Sequence, residues 1–180
     1  MHYHEVLEGL LSICEYGGLG EGSLPERVEF YERHFGTRFP AQYHSFFLEC
    51  GWFYARRGNA KLRVFGEGPE MDPYLWIEFN NERFAGTEWV HFGDLTYSGR
   101  DPEGRYKAIY QDWFAFRRSG ALLEPKVWRF RIYSNWIRDD TKDEKIPSEQ
   151  WLPAYHDFGT WLLAGIAVLR EEIPYEVDER

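Results

Sequence analysis

The chain has 180 residues, 43% of them hydrophobic and 19% aromatic, enough for one domain that buries roughly 70% of the surface its unfolded form exposes. Its 30 acidic and 21 basic side chains give a formal net charge of -9, a field that repels phosphate backbones and favours a basic partner surface. No run of about 18 apolar residues is present to span a bilayer, so neither a nucleic acid nor a membrane is an expected ligand.

The N-terminal "MHYHEVLEGLL" lacks a basic leader and a small-residue cleavage site, and Cys14 and Cys50 are too few for a disulfide framework. A reduced, cytosolic protein is expected. The first helix carries Val6, Leu7, Leu10, Leu11 and Cys14 on one face, and "GGLGEG" at Gly17 to Gly22 reads as the loop that ends it. A second helix is predicted from Pro25, capped by Ser23, with Leu24, Val28, Tyr31 and Phe35 as its face and Gly36 as its stop. The third is "FPAQYHSFFLECGW". Pro40 suits a helix start, Tyr43, Phe46, Phe47 and Cys50 follow at i, i+3, i+4 and i+7, and Gly51 suits the left-handed terminus.

The period then changes. Leu62 and Val64 alternate with Lys61 and Arg63 before a Gly/Pro turn, which predicts a half-buried strand. Tyr74 to Phe84 suits a helix by spacing and a strand by aromatic density; helix is the reading taken. Trp89 to Asp94, Arg105 to Trp113 and Lys126 to Trp136 read as strands separated by the loop "YSGRDPEGR" and the turn-like "RRSGALLEP", with consecutive antiparallel pairing. In the last of them Trp128, Phe130 and Ile132 are expected to face the core, opposite Val127, Arg129, Arg131 and Tyr133. Ile137 to Gln150 is polar and reads as an exposed loop. A regular helix follows, with Phe158, Trp161, Leu162, Gly165, Ile166 and Leu169 on its buried face, and an acidic tail at 171–180. The fold class expected is α+β: one domain over 1–180, core about 5–170, a mostly antiparallel sheet with N-terminal helices and a C-terminal helix packed on it.

No spacing assembles a reaction centre. The glycine runs lack the third glycine or the Gly-Lys-Ser/Thr of a phosphate loop, the six histidines lack zinc-ligand pairing, and no Gly-x-Ser-x-Gly elbow is present. His44 is expected as a half-buried packing residue. Arg56-Arg57 and Arg117-Arg118 are flanked by aromatics but make no basic stripe, and the second pair reads as turn punctuation. No cofactor, metal or catalytic residue is expected. The open enzymatic alternative is a site at Phe92 to Asp112, where Asp94, Asp101, Tyr106 and Asp112 would have to converge.

Several pieces, in order, resemble the SUKH superfamily, which includes the fungal Smi/Knr regulators and bacterial immunity proteins that neutralise polymorphic toxins. Phe39, Pro40, Tyr43, Phe46, Phe47 and Gly51 are similar to its early Leu-Pro-x-x-Tyr-x-x-Phe-Leu helix. "RVFGEGP" resembles its strand and glycine turn, Phe92-Gly93-Asp94 its Phe-Gly-Asp motif, "AIYQD" its apolar strand ending in aspartate, and "DFGTWLLAGI" its closing helix. Cys50-Gly51-Trp52, Leu95 and the long Ile137 to Gln150 region depart from the pattern. The resemblance implies a domain that binds another protein and performs no reaction: an immunity protein with a toxin partner, or a regulatory scaffold of the Smi/Knr type, as a monomer or weak dimer. A basic toxin, such as a nuclease, suits the acidic balance. The candidate contacts are Asp94, Tyr97, Arg100, Asp101, Asp139, Asp140 and Asp143, expected in exposed loops. Trp52, Arg56 and Arg57 join them as an aromatic/arginine patch, unless Trp52 and Phe53 simply finish the core.

Overall fold

The computed structural model describes residues 2–66, 73–100, 106–133 and 150–171, with backbone alone at 73–76, 79, 100, 106–109 and 133. In chain order the described elements are α1 (Tyr3–Leu11), β1 (Tyr16–Leu19), α2 (Pro25–Phe35), α3 (Ala41–Cys50), β2 (Phe53–Arg57), β3 (Ala60–Val64), α4 (Pro73–Phe84), β4 (Trp89–Arg100), β5 (Tyr106–Ser119), β6 (Leu122–Tyr133), β7 (Leu152–Tyr155) and α5 (Phe158–Leu169). The strands form one antiparallel sheet in sequence order, with the N-terminal helices and α5 packed on it, so the α+β expectation holds. None of the described helices is long and apolar enough to cross a membrane.

The helices follow their sequence signals closely. In α3, Pro40 is the N-cap, Tyr43, Phe46, Phe47 and Cys50 are buried, and Gly51 adopts φ 71°. Tyr43 is the hub of the core: its ring meets those of Phe39, Phe92, Phe116 and Phe158 at centroid distances of 5.1–5.5 Å, and its hydroxyl donates to the Phe65 carbonyl at 2.7 Å. Helix α5 begins at Asp157, whose Oδ1 accepts from the Thr160 N–H at 2.8 Å, satisfying one of the terminal amides. Ser23, by contrast, does not cap α2: the N-cap is Leu24, which is 69% exposed, and Pro25 with its preset φ starts the helix unaided.

The glycine run expected as a loop contains β1. Glycine is required there because side-chain space is already occupied: an ideal Cβ on Gly18 would lie 2.6 Å from Trp52 Cη2 and 3.1 Å from Tyr54 Cε1. The Trp52 and Tyr54 rings, at the start of the adjacent strand, fill the space of the missing side chain. The same packing hides β2 from a periodicity search, since Phe53, Tyr54 and Ala55 are all buried and do not alternate. The loops "YSGRDPEGR" and "RRSGALLEP" are also shorter than expected. Tyr97–Arg100 belongs to β4, and β5 runs through Arg117 and Arg118 to Ser119, leaving a turn at Gly120-Ala121 with Gly120 at φ 61°. Arg117 pairs with Glu88 at 3.1 Å and Arg118 donates to the Phe35 carbonyl at the C-terminus of α2, so that basic pair ties elements together within a strand.

In-register partners on adjacent strands share a face. One face carries Leu62, Gly93, Phe114, Phe116 and Val127 and meets α3 and α5; the other carries Arg63, Asp94, Trp113, Ala115, Trp128 and Phe130. Trp128, Phe130 and Ile132 therefore do not face the main core. They join Phe84, Trp89, Ala115 and Trp151 in a second apolar cluster on the far side, while Val127 enters the main core beside Arg129 and Arg131. The sheet is buried on both sides at this end.

The Phe-Gly-Asp motif sits on a register shift between His91 and Gly93, where β4 has an extra residue relative to β5. The bulge turns both Phe92 and Gly93 toward the helices and swings Asp94 to the opposite face. Phe92 stacks on Phe116 with centroids 4.2 Å apart. Gly93 admits no side chain, since an ideal Cβ would stand 2.7 Å from the Arg63 carbonyl oxygen and 2.9 Å from Trp161 Cη2. Gly93→Ala is accordingly expected to destabilise the fold by about 1–3 kcal/mol, measured by urea unfolding, because backbone and a packed indole must both give way.

Candidate functional site

The expected contact residues are distributed differently from the predicted loops. Asp94 is a strand residue and its side chain is 1% exposed. Its carboxylate receives Arg63 Nε at 3.0 and 2.9 Å on its two oxygens, with Nη2 as a further donor, and the Arg63 guanidinium also lies 5.2 Å from the Phe65 ring. A bidentate pair at this burial is scaffold; the expectation of an exposed loop aspartate is corrected, because β4 continues to Arg100 and position 94 is paired in mid-sheet between Arg63 of β3 and Trp113 of β5. Tyr97, half-buried in β4, stacks on Tyr110 at 5.5 Å. Arg100 ends β4, described by its backbone, and Asp101, Asp139, Asp140, Asp143 and the Ile137 to Gln150 region lie outside the described residues.

Trp52, Arg56 and Arg57 do not make one patch either. Trp52 is 5% exposed beneath the glycine strand and stacks on Tyr54, while Phe53 is in the core. Strand alternation sends Arg56 and Arg57 to opposite faces; Arg57 reaches the carbonyl of Leu169 at the end of α5 at 3.3 Å. Of the two alternatives for Trp52 and Phe53, burial favours the packing role.

The second buried carboxylate is Asp112. Arg131 binds it through Nε–Oδ1 at 2.7 Å and Nη2–Oδ2 at 2.9 Å, and Arg129 Nη1 stands 3.8 Å from Oδ2. The Arg131 guanidinium also covers the Tyr110 ring at 4.8 Å. Asp94 aligns with Trp113 while Leu95 aligns with Asp112, so the two aspartates lie on opposite sides of the sheet. They do not converge, and each is occupied by arginine. Asp101 and the Tyr106 side chain, the other members of the enzymatic alternative, fall outside what is described.

His91 is 1% exposed, with its ring 4.9 Å from that of Phe65, 5.6 Å from Trp113 and nearly parallel to Phe84 at 5.8 Å. Burial, reinforced by the nearby Arg63 charge, pushes its pKa down to about 3. Its backbone exchanges hydrogen bonds with the Asn80 side chain, N–H to Oδ1 at 2.9 Å and Nδ2 to O at 3.2 Å, which fastens α4 to β4. His44 is half-buried. Burial raises the Cys50 thiol to about 12, the opposite of a reactive thiolate. Among the described residues no group of three or more His, Cys, Asp or Glu side chains is placed to hold a metal ion.

The residues that sequence reasoning passed over are the arginine partners of the two aspartates: Arg63, Arg129 and Arg131. Their signal was present in Lys61-Leu62-Arg63-Val64 and Arg129-Phe130-Arg131, cations alternating with buried residues, but the partner across each strand depends on register. No protein-family model matches the chain, and no curated protein matches it.

Proposed function

We propose that this protein is an immunity-type binding domain that neutralises a basic toxin by protein–protein contact and performs no reaction of its own. The observation that carries the reading is the division of charge. The two carboxylates buried in the central strands are consumed by arginines, while the net charge of -9 resides on side chains such as Glu5, Glu8, Glu15, Glu21 and Glu26, which are exposed. Such a scaffold offers a partner a carboxylate-rich surface, which accelerates encounter with a basic protein and mimics a phosphate chain to a nuclease.

The SUKH resemblance supports the same class. Its matching residues do scaffold work here: Tyr43 at the core hub, Gly93 under Trp161, Asp94 on Arg63 and Asp157 at the start of α5. Residues of that kind preserve a fold and leave the partner to be chosen by the surface.

The test is affinity capture of the tagged protein from lysate of its source organism, washed at low and then high salt, followed by expression of any captured protein with and without this chain. One stoichiometric partner, released by salt and toxic unless co-expressed, is the expected result. Partners that salt does not release, or that are harmless alone, would transfer the domain to the regulatory Smi/Knr type.

A further inference from the structure

The two edges of the sheet are finished differently. At one, β7 contains Pro153, which has no N–H to offer an incoming strand. At the other, β1 is Tyr16-Gly17-Gly18-Leu19, with neither a proline nor a charged side chain. The Gly20 N–H donates to the Trp52 carbonyl at 3.1 Å, in line with the β1–β2 register. Antiparallel alternation then turns the N–H and C=O of Tyr16 and Gly18 toward β2, and those of Gly17 and Leu19 away from the sheet. These outward groups meet no backbone partner among the described residues. The edge is also open, since Tyr16 and Gly17 are exposed and Gly18 and Leu19 half-buried. Carboxylates surround it. Glu15 and Glu21 stand at its two ends, both exposed. On α1, Leu11 reaches the Cα of Gly17, and Glu8, one turn earlier on the same stripe, is exposed. Glu15 accepts from the Gly58 N–H at 3.2 Å, and none of the three is in an ion pair among the described residues. In β2, Arg57 is turned to the Leu169 carbonyl, and Arg56 lies on the opposite face with Tyr16.

We propose that the free edge of β1 takes up an extended basic segment of a protein partner as a further antiparallel strand. The outward N–H and C=O groups of Gly17 and Leu19 hold its main chain, as in other strand-addition complexes. Its two faces meet different surroundings. Side chains on the Gly17–Leu19 side run past α1 among Glu8, Glu15 and Glu21, so basic residues suit them. The residue opposite Gly18 forms a close pair without hydrogen bonds, next to the Trp52 and Tyr54 rings that cover Gly18, so an apolar side chain suits it. A second copy of the chain is disfavoured as the occupant, because it would bring two charges of -9 edge to edge. The inference rests on the reading of this chain as a binder of a basic protein and adds the element that binds.

The experiment adds the end-blocked peptide Lys-Thr-Lys-Val-Lys-Thr-Lys to the full chain and follows amide hydrogen exchange by NMR. The Gly17 and Leu19 amides are expected to slow at least about tenfold at saturation, while Gly18, already paired with β2, changes little. Anisotropy of a fluorescein-labelled form reads the affinity, which should fall with salt. It should be lost when the two lysines beside the valine are N-methylated, and when every lysine is replaced by glutamate. Leu19→Pro removes an outward N–H that the ladder to β2 does not use, and should weaken binding roughly tenfold. Leu19→Ala trims the same side chain but keeps that N–H, so it should bind as the parent does; unfolding curves identify any loss of fold in either. Unslowed Gly17 and Leu19 amides, no binding by the folded chain, equal binding of the N-methylated or glutamate peptide, or equal affinity of folded Leu19→Pro and Leu19→Ala variants would each overturn the proposal. So would protection of both amides that rises with protein concentration in the absence of peptide, which would give the edge to a second copy. The two readings fail separately: a toxin captured equally well by a folded Leu19→Pro variant removes the edge and leaves immunity standing, whereas slowed amides with no toxin captured do the reverse.

Discussion

Asp112→Ala is expected to lower the unfolding free energy by about 3–5 kcal/mol, the range for removing one partner of a buried ion pair. The loss comes mainly from the arginine left behind. The Arg131 side chain is 12% exposed and cannot recover a hydration shell, whereas Arg129, at 31%, can turn toward water. The Tyr110 face, 4.8 Å from the Arg131 guanidinium, offsets about 2 kcal/mol at most. An exposed pair sets the scale. Arg33 and Glu29 are 70% and 64% exposed at 3.4 Å, and Glu29→Ala is expected to change stability by no more than about 0.5 kcal/mol.

A double variant separates an orphaned charge from a lost attraction. Asp112→Leu with Arg131→Met removes both ions and fills their space with apolar atoms, so it should recover most of the stability lost by Asp112→Ala alone. Urea unfolding at neutral pH measures all three. An Asp112→Ala variant as stable as Glu29→Ala, or a double variant as unstable as the single, would show that Asp112 does not serve to neutralise a buried guanidinium.

These two arginine–aspartate pairs mark where sequence reading reaches its limit. Helices α1, α2, α3 and α5 were legible because each buries one stripe, and α2, α3 and α5 are also bounded by a proline, an aspartate cap or a positive-φ glycine. Leu62 and Val64 were legible because β3 is covered in strict alternation. Strand β1 was not, since Gly17-Gly18 carries turn chemistry, and the reason for glycine there is two rings that reach it from outside the strand. Strand β6 misled for a different cause. The larger aromatic residues, Trp128 and Phe130, lie in the second cluster, so size pointed to the wrong side of a sheet buried on both.

The candidate site was legible as residue types and illegible as geometry. Asp94 stands five residues after Trp89, and simple alternation would put the two on opposite faces. The extra residue at Phe92 changes the phase, so Asp94 lies with Arg63 and Trp113 on the side of the second cluster. A one-residue bulge leaves no periodic trace in a run as short as Trp89 to Asp94. Likewise the cations of β3 reveal their like-charged neighbour only once Phe53–Arg57 is known to be a strand.

Acid sensitivity traceable to His91 is the other large expected effect. Its imidazole is held neutral, with its pKa lowered to about 3 from the model-peptide 6.5 by burial first and the Arg63 charge second, against an opposing hydrogen bond that the ring donates to the Gly93 backbone. Above pH 6.5 the ring is neutral in both folded and unfolded chains and contributes no slope. Below it the unfolded chain takes up a proton that the folded chain refuses, so stability falls with pH by up to about 1.4 kcal/mol per unit until the folded ring itself titrates. By pH 4.5 the contribution reaches about 3 kcal/mol. His91→Phe keeps an aromatic ring against Phe65, Phe84 and Trp113 and removes the titration. Urea unfolding of both proteins at pH 7.5, 6.5, 5.5 and 4.5 should therefore show the variant gaining on the parent at each acid step, after the carboxylates common to both cancel. Parallel pH profiles would mean that His91 ionises in the folded state, as would a native imidazole proton resonance that titrates near pH 6.5. Either result would require the site between β4 and α4 to admit water that the packing of Phe84 and Asn80 over His91 excludes.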